Sequence, residues 1–194
     1  MRVISGTAKG KKLKAPSGYD TRPITDRIKE ALFNVIGSDI KDARFLDLFA
    51  GSGSVGIEAL SRGAELVILV DSGKEAIRTI HYNLDICGFE KGYEVYRQDV
   101  FAAIRALLRR GIKFDLIYID PPFTNEKLFE QVITALDKQI ILNADGIIIM
   151  RTPRRKSLPL VFENLQCYRV NDYGESTLYY YHLIKEEAAG DGNI

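Results

Sequence analysis

Asp120-Pro121-Pro122-Phe123 follows the apolar run Phe114-Asp115-Leu116-Ile117-Tyr118-Ile119. Two consecutive prolines fix two φ angles and remove two N–H donors. A carboxylate before them and an aromatic ring after them are therefore presented on a rigid loop. Such a loop suits a flat ring that carries an exocyclic NH2: oxygens accept the amine hydrogens and Phe123 covers the ring face. Taken alone, the tetrapeptide reads equally well as a Pro-rich turn after a buried strand.

A second group lies upstream. In Asp47-Leu48-Phe49-Ala50-Gly51-Ser52-Gly53-Ser54-Val55-Gly56, the glycines at 51, 53 and 56 satisfy GxGxxG between an apolar run and a helical pattern. Glycine there lets a ligand approach the backbone at a helix N-terminus. Asp71 comes 20 residues after Gly51, where an acid can accept both hydroxyls of a ribose. An adenosine-containing cofactor is expected. Asp47, at the mouth of the loop, would repel a pyrophosphate and attract the α-amino group of a methionine moiety. Asp99 follows the strand predicted over Tyr93–Arg97 and suits an adenine amine. Acids at three successive strand ends fit S-adenosyl-L-methionine better than a dinucleotide, and Ala50, Gly51, Gly53, Ser72 and Val100 complete the candidate cofactor set. Each Asp on its own could equally be a cap or turn residue.

These groups need a scaffold, and the periodicity supplies one. Ile28, Ala31, Leu32, Val35 and Ile36 trace one helix face, with Thr25 as N-cap and Gly37 as stop. Strands are then predicted over 44–49, 66–70, 93–97, 114–119 and 146–150, and helices over 54–62, 73–87, 100–110 and 126–138. Strands alternating with helices imply right-handed βαβ units and a mostly parallel sheet. Residues 166–172 and 177–184, separated by Tyr173-Gly174-Glu175-Ser176, predict a closing antiparallel hairpin. Arg2–Gly6 and Lys11–Ala15 suggest an N-terminal hairpin. Tyr179-Tyr180-Tyr181 is read as core, and Arg105, Arg109 and Arg110 as an exposed helix face.

The 194 residues, 46% of them hydrophobic, suit one α/β domain. No apolar stretch approaches the roughly 20 residues of a membrane span, and no signal region is evident, so a cytoplasmic protein is expected. Cys87 and Cys167 are far apart, and neither they nor His81 and His182 have metal-ligand spacing. Free, mostly buried thiols and no metal are expected, as is a monomer. The net charge of +1 hides an asymmetry: residues 1–29 hold eight basic and two acidic side chains. A basic arm carrying Arg2, Lys9, Lys11, Lys12, Lys14 and Arg22 fits a polyanion, although a merely solvated terminus would have the same composition. Arg151, Arg154, Arg155 and Lys156 form a second basic cluster, either a further RNA contact or a solubilising loop.

Asp47–Gly53, Asp71, Asp99 and Asp120–Phe123 resemble the motifs of the amino-group methyltransferases, whose signature is [D/N]-P-P-[Y/F]. The segments Arg22–Asn34 and Asp47–Ala64, with the basic N-terminus, resemble the bacterial RsmD family over residues 1–184. Asp71 and Gly73 depart from it, where relatives often carry Glu and Asp. The resemblance implies a Rossmann-like class I S-adenosylmethionine-dependent methyltransferase with a seven-stranded sheet, an N-terminal hairpin and a helix extension. It implies methylation of guanine N2 in 16S ribosomal RNA, within a small-subunit or assembly particle. Residues 1–22 would be the RNA arm, 23–184 the methyltransferase domain and 185–194 a flexible tail. Asp120 and the Pro121 carbonyl would hold the amine, Pro122 would stiffen the loop, Phe123 would stack on the base, and Thr25 would sit near the methionine end of the cofactor. An adenine-N6 methyltransferase would use the same tetrapeptide, but 194 residues leave little room for a separate target-recognition domain. A catalytically silent RNA-binding protein would have no need of the intact tetrapeptide. An NAD-dependent oxidoreductase lacks a Tyr/Lys proton donor.

Overall fold

The apolar runs become strands of one sheet, seen in a computed structural model that describes residues 1–16 and 24–185. The strands are β1 (Arg44–Leu48), β2 (Leu66–Asp71), β3 (Tyr93–Arg97), β4 (Phe114–Ile119), β5 (Leu142–Pro153), β6 (Leu165–Tyr173) and β7 (Ser176–Leu183). Their order is β3-β2-β1-β4-β5-β7-β6. The first five run parallel, and β7 is antiparallel to both β5 and β6. The helices are α1 (Asp26–Ile36), α2 (Ser54–Ser61), α3 (Lys74–Cys87), α4 (Val100–Arg109) and α5 (Glu126–Lys138). One face of the sheet is covered by α1, α2, α3 and the N-terminal segment, the other by α4 and α5. Strands buried on both faces are continuously apolar, which is why β2 reads Leu-Val-Ile-Leu-Val. The three tyrosines of β7 are buried.

Most predicted boundaries fall within two residues of those observed, and β5 is the exception. It starts four residues before the predicted 146–150 and ends three residues after it. Asn143-Ala144-Asp145-Gly146 is polar and reads as a turn. A register irregularity in the β4–β5 pairing carries it within the strand: Phe114 pairs with Leu142, but Leu116 pairs with Ile147. The extension through Arg151-Thr152-Pro153 exists because β7 pairs with it as far as Ser176. The two cysteines are half-buried.

The N-terminal hairpin forms, with an antiparallel bridge between Arg2 and Lys12 and backbone hydrogen bonds from Val3 N to the Lys11 carbonyl, Gly10 N to the Val3 carbonyl and Leu13 N to the Met1 carbonyl, and it is also tied to the domain. The Glu58 carboxylate on α2 accepts from Ile4 N at 2.8 Å and Ser5 N at 3.0 Å. It also pairs with Lys29 at 3.3 Å and Arg62 at 2.8 Å. Lys29 is fully buried and donates to the Arg2 carbonyl and Ser54 Oγ. Burial lowers its ammonium pKa despite Glu58. Lys29 therefore leaves the basic arm, and Arg2 is paired with Asp26. Gly6, at φ 83°, lies so close to α2 that a Cβ would fall 1.7 Å from the Ser61 carbonyl oxygen. Lys9, Lys11, Lys12 and Lys14 stay exposed. Arg22 and the tail from 186 lie outside the described residues.

A buried ion pair stripped of one partner costs about 3–5 kcal/mol. Glu58→Ala should destabilise the protein by that much and open Lys9–Lys14 to trypsin under native conditions. An unchanged unfolding midpoint and cleavage pattern would mean that Val3 and Leu13 hold the segment by apolar contact alone.

Candidate active site

Parallel strands deliver their C-terminal ends to one edge of a sheet, where ligands bind in open α/β folds. Asp47, Asp71, Asp99 and Asp120 all arrive at that edge. Together with the Phe49–Ser52 loop and Phe123 they line one cavity of about 1280 Å³. Of the nine candidate cofactor residues, Thr25, Asp47, Ala50, Gly51, Asp71, Ser72, Asp99 and Val100 face this cavity, and Gly53 does not. Gly53 instead caps α2 at φ 76°. Gly56 packs so tightly that a Cβ would meet Leu69 at 2.8 Å. The glycine pattern thus serves helix–strand approach as well as lining the cavity.

Each acid has structural partners. Gly51 N and Gly73 N donate to the two oxygens of Asp71, both at 2.8 Å, so the acid that ends β2 also shapes the glycine loop. Asp99 caps α4, with Oδ1 accepting from Phe101 N and Ala102 N. Thr25 Oγ1 caps α1 by accepting from Ile28 N. The cap and ligand readings of these residues are therefore compatible, because each side-chain oxygen group keeps lone pairs that can face the cavity. Asp47 is different. It is 1% exposed, and among the described residues its hydrogen bond is from Gly56 N to Oδ2 at 2.9 Å. Burial pushes its pKa up to about 8, with Asp120 and Asp71 adding to the effect against the Gly56 N–H. A buried carboxylate with no cation paired to it among the described residues, at the floor of a cavity, suits an ammonium-bearing ligand. The residues present thus fit S-adenosylmethionine.

At the β4 end, Asp120 Oδ2 accepts from Tyr118 Oη at 3.1 Å and from Arg151 Nη1 at 2.9 Å. The Pro122 carbonyl accepts from Asn125 N, whereas that of Pro121 accepts no hydrogen bond among the described residues. Phe123 leans on Phe129, with centroids 6.2 Å apart. Arg151 is a correction to the predicted basic cluster: it lies within β5, 4% exposed and paired with Asp120, instead of on a loop facing RNA. Arg154, Arg155 and Lys156 pair with Asp172, Glu126 and Glu130, which offsets much of that cluster's charge. Sequence reading missed Tyr118, although strand alternation places it on the same face as Asp120. It also missed the β6–β7 turn, whose residues 172–176 wall the cavity.

Because Asp47 has a raised pKa in the fold, its contribution to stability is full below the ordinary carboxylate pKa and is lost as pH rises towards 8. Asp47→Asn keeps an acceptor for Gly56 N and removes the titration. Thermal unfolding of the ligand-free variant at pH 7.5 should show a gain of about 1–3 kcal/mol, at roughly 2–4 °C for each, that shrinks as pH falls to 5. A pH-independent difference would mean that Asp47 is ionised and compensated.

The same arrangement of chain and fold occurs in known proteins. The Bacillus subtilis protein YlbH, provisionally named an rRNA methyltransferase, is 44% identical over 174 residues, spanning 90% of this chain and 94% of YlbH. The Escherichia coli ribosomal RNA small subunit methyltransferase D is 32% identical over 193 residues, spanning 100% of this chain and 93% of its own length. A solved Escherichia coli protein, yhhF, provisionally described as a methyltransferase, superposes with a TM-score of 0.80 at 32% identity, covering 94% of this chain and 97% of that one. The protein is thus a methyltransferase. Residues 1–182 match the family described as Conserved hypothetical protein 95; with that match and these identities over nearly the whole chain, the protein belongs to this family, that of the RsmD methyltransferases.

Proposed function

We propose that the protein methylates the exocyclic N2 amine of a guanine in 16S ribosomal RNA, using S-adenosyl-L-methionine. The observation that carries this reading is the cavity itself, in which the Asp120-Pro121-Pro122-Phe123 loop and the glycine loop face one space. The name of the Escherichia coli relative supports a small-subunit rRNA target.

The donor's sulfonium supplies an already activated methyl group. The residues of the chain then have to bind and align. Asp47 takes the α-amino group, Asp71 the ribose hydroxyls and Asp99 the adenine amine, with Thr25, Ala50, Gly51, Ser72 and Val100 around them. The acceptor nitrogen is a poor nucleophile because its lone pair is delocalised into the ring. Asp120 Oδ1 and the Pro121 carbonyl accept its two hydrogens and draw it towards tetrahedral geometry. Alignment of this kind supplies up to roughly 7–11 kcal/mol. Phe123 stacks on the base once it has left its stack, a cost of a few kcal/mol. Transfer would break the sulfonium S–CH3 bond and leave a neutral thioether; the methylated nitrogen, briefly cationic, is acidic and would lose one proton to Asp120 or water, so no strong general base is needed. Lys9, Lys11, Lys12 and Lys14, exposed on a docked segment, contact phosphates.

Two outcomes test this. With 16S rRNA in small-subunit particles and labelled cofactor, Asp120→Ala should lower turnover about 10²–10³-fold while cofactor affinity, read by calorimetry, stays within about threefold. Nucleoside analysis should show N2-methylguanosine. Near-wild-type turnover would remove Asp120 from the site, and another methylated base would remove the guanine assignment.

Reversing charge at Lys9, Lys11 and Lys12 should weaken RNA binding without changing the modified base. It should also flatten the salt dependence of binding, by about 0.7–0.9 in log–log slope for each phosphate that is no longer neutralised. Unchanged affinity and slope would leave these lysines as solvated side chains only.

A further inference from the structure

The guanidinium of Arg151 is where the two halves of the acceptor site meet. It reaches Asp120 Oδ2 through Nη1 at 2.9 Å and Ser176 Oγ through Nε at 3.1 Å. Its Cζ lies 4.9 Å from the Phe123 ring centroid. One planar cation thus contacts both the carboxylate that would hold the amine and the ring that would cover the base. Its anchor, Ser176, opens β7 and is buried. Tyr118 Oη joins Arg151 on the same oxygen, Oδ2, while Oδ1 accepts no hydrogen bond among the described residues. Two donors on one oxygen fix the carboxylate's rotation and leave the other oxygen for a ligand.

We propose that Arg151 is the positioning residue of the acceptor site: it locks Asp120 with Oδ1 towards the substrate amine and seats the Phe123 ring, so that amine and base are set by one side chain. The inference rests on the proposed role of Asp120. Lysine could supply the charge but not the fork that spans Asp120 and Ser176, nor the planar face against Phe123. The pairing also opposes the protonation that burial favours. Burial pushes the Asp120 pKa up, and Arg151 is the cation that pulls it down, helped by the Tyr118 hydroxyl. Asp47, which interacts electrostatically with Asp120, is the other acid in reach.

The test is a double-mutant cycle on the full-length protein with Arg151→Met, Arg151→Lys and Asp120→Asn. Each variant is read by single-turnover methylation of 16S rRNA in small-subunit particles across pH 5.5–9, with the rate taken at saturation in both substrates, RNA affinity from the particle concentration that gives half that rate, and cofactor affinity from calorimetry. Arg151→Met should slow the step about 100-fold near neutral pH with cofactor affinity within about threefold. Its rate should recover partly at high pH, where Asp120 ionises without help. Arg151→Lys should fall between it and wild type. In the Asp120→Asn background, Arg151→Met should add at most about tenfold, the part owed to seating the Phe123 ring, since the carboxylate it positions is already gone. Ser176→Ala, which leaves the ion pair in place, keeps the test open if Arg151→Met folds poorly: it should slow the step about 3–10-fold with the same unchanged cofactor affinity. Full additivity of the Arg151 and Asp120 effects would overturn the proposal, as would a loss confined to RNA affinity, which would make Arg151 an RNA contact. A fully active Asp120→Asn single variant would instead remove the reading of Asp120 itself.

Discussion

Carboxylates gathered at one edge of a parallel sheet repel one another and lose solvation, and much of the local structure answers that constraint. Asp71 is held by two backbone N–H groups, Asp99 by a helix N-terminus, and Asp120 by a guanidinium and a phenol. Among the described residues Asp47 receives one backbone N–H and no cation, and its pKa rises to near neutrality and beyond. The uneven sharing matters. The acid whose charge is compensated within the chain is the one suited to accept from a neutral amine. The uncompensated one is suited to a ligand that brings its own positive charge. Two acids of the same residue type are thereby given different electrostatic characters by their surroundings.

A second buried charge cluster does a different task with the same physics. Glu58 and Lys29 satisfy each other, and also the backbone of residues 2–5. Lys29 reaches Ser54 at the start of α2, and Asn83 on α3 joins the Lys14 backbone to the Ser52 carbonyl of the glycine loop. The lysine-bearing segment is therefore tied to the glycine loop that lines the cavity, not tethered beside it. If this terminus contacts RNA as proposed, being held in one place would give it direction as well as charge, since phosphate contacts made from a fixed platform set the register of a nucleic acid.

The fold was legible because its signals are local. Short, mostly apolar runs and period-3.6 patterns located the helices and strands of the βα repeat, and Thr25 and Gly37 bracketed α1 as caps should. The glycine loop and the proline loop were legible because their chemistry is written in consecutive residues. What escaped depends on contacts between distant segments. The length of β5 comes from pairing with β7 across a register irregularity. Arg151 looked like part of a surface basic run because its neighbours Arg154, Arg155 and Lys156 are one, whereas strand geometry turns its side chain to a carboxylate 31 residues away. Lys29 counted towards a basic arm, and only the position of α2 makes it a core residue.

The Arg151–Asp120 pair also explains why β6 and β7 belong to the site although neither carries one of the motif acids. Ser176 holds Nε of Arg151, and residues 172–176 close the cavity wall beside it. An antiparallel hairpin added beyond β5 can place its turn at the same edge as the parallel strand ends, because β7 begins where β5 finishes. The hairpin thus completes the sheet and, through Ser176 and Arg151, also braces the Asp120–Phe123 loop. If Asp120 and the Pro121 carbonyl hold the amine as proposed, rigidity there would have a direct benefit: an amine held by two acceptors gains from alignment only if those acceptors do not move with it.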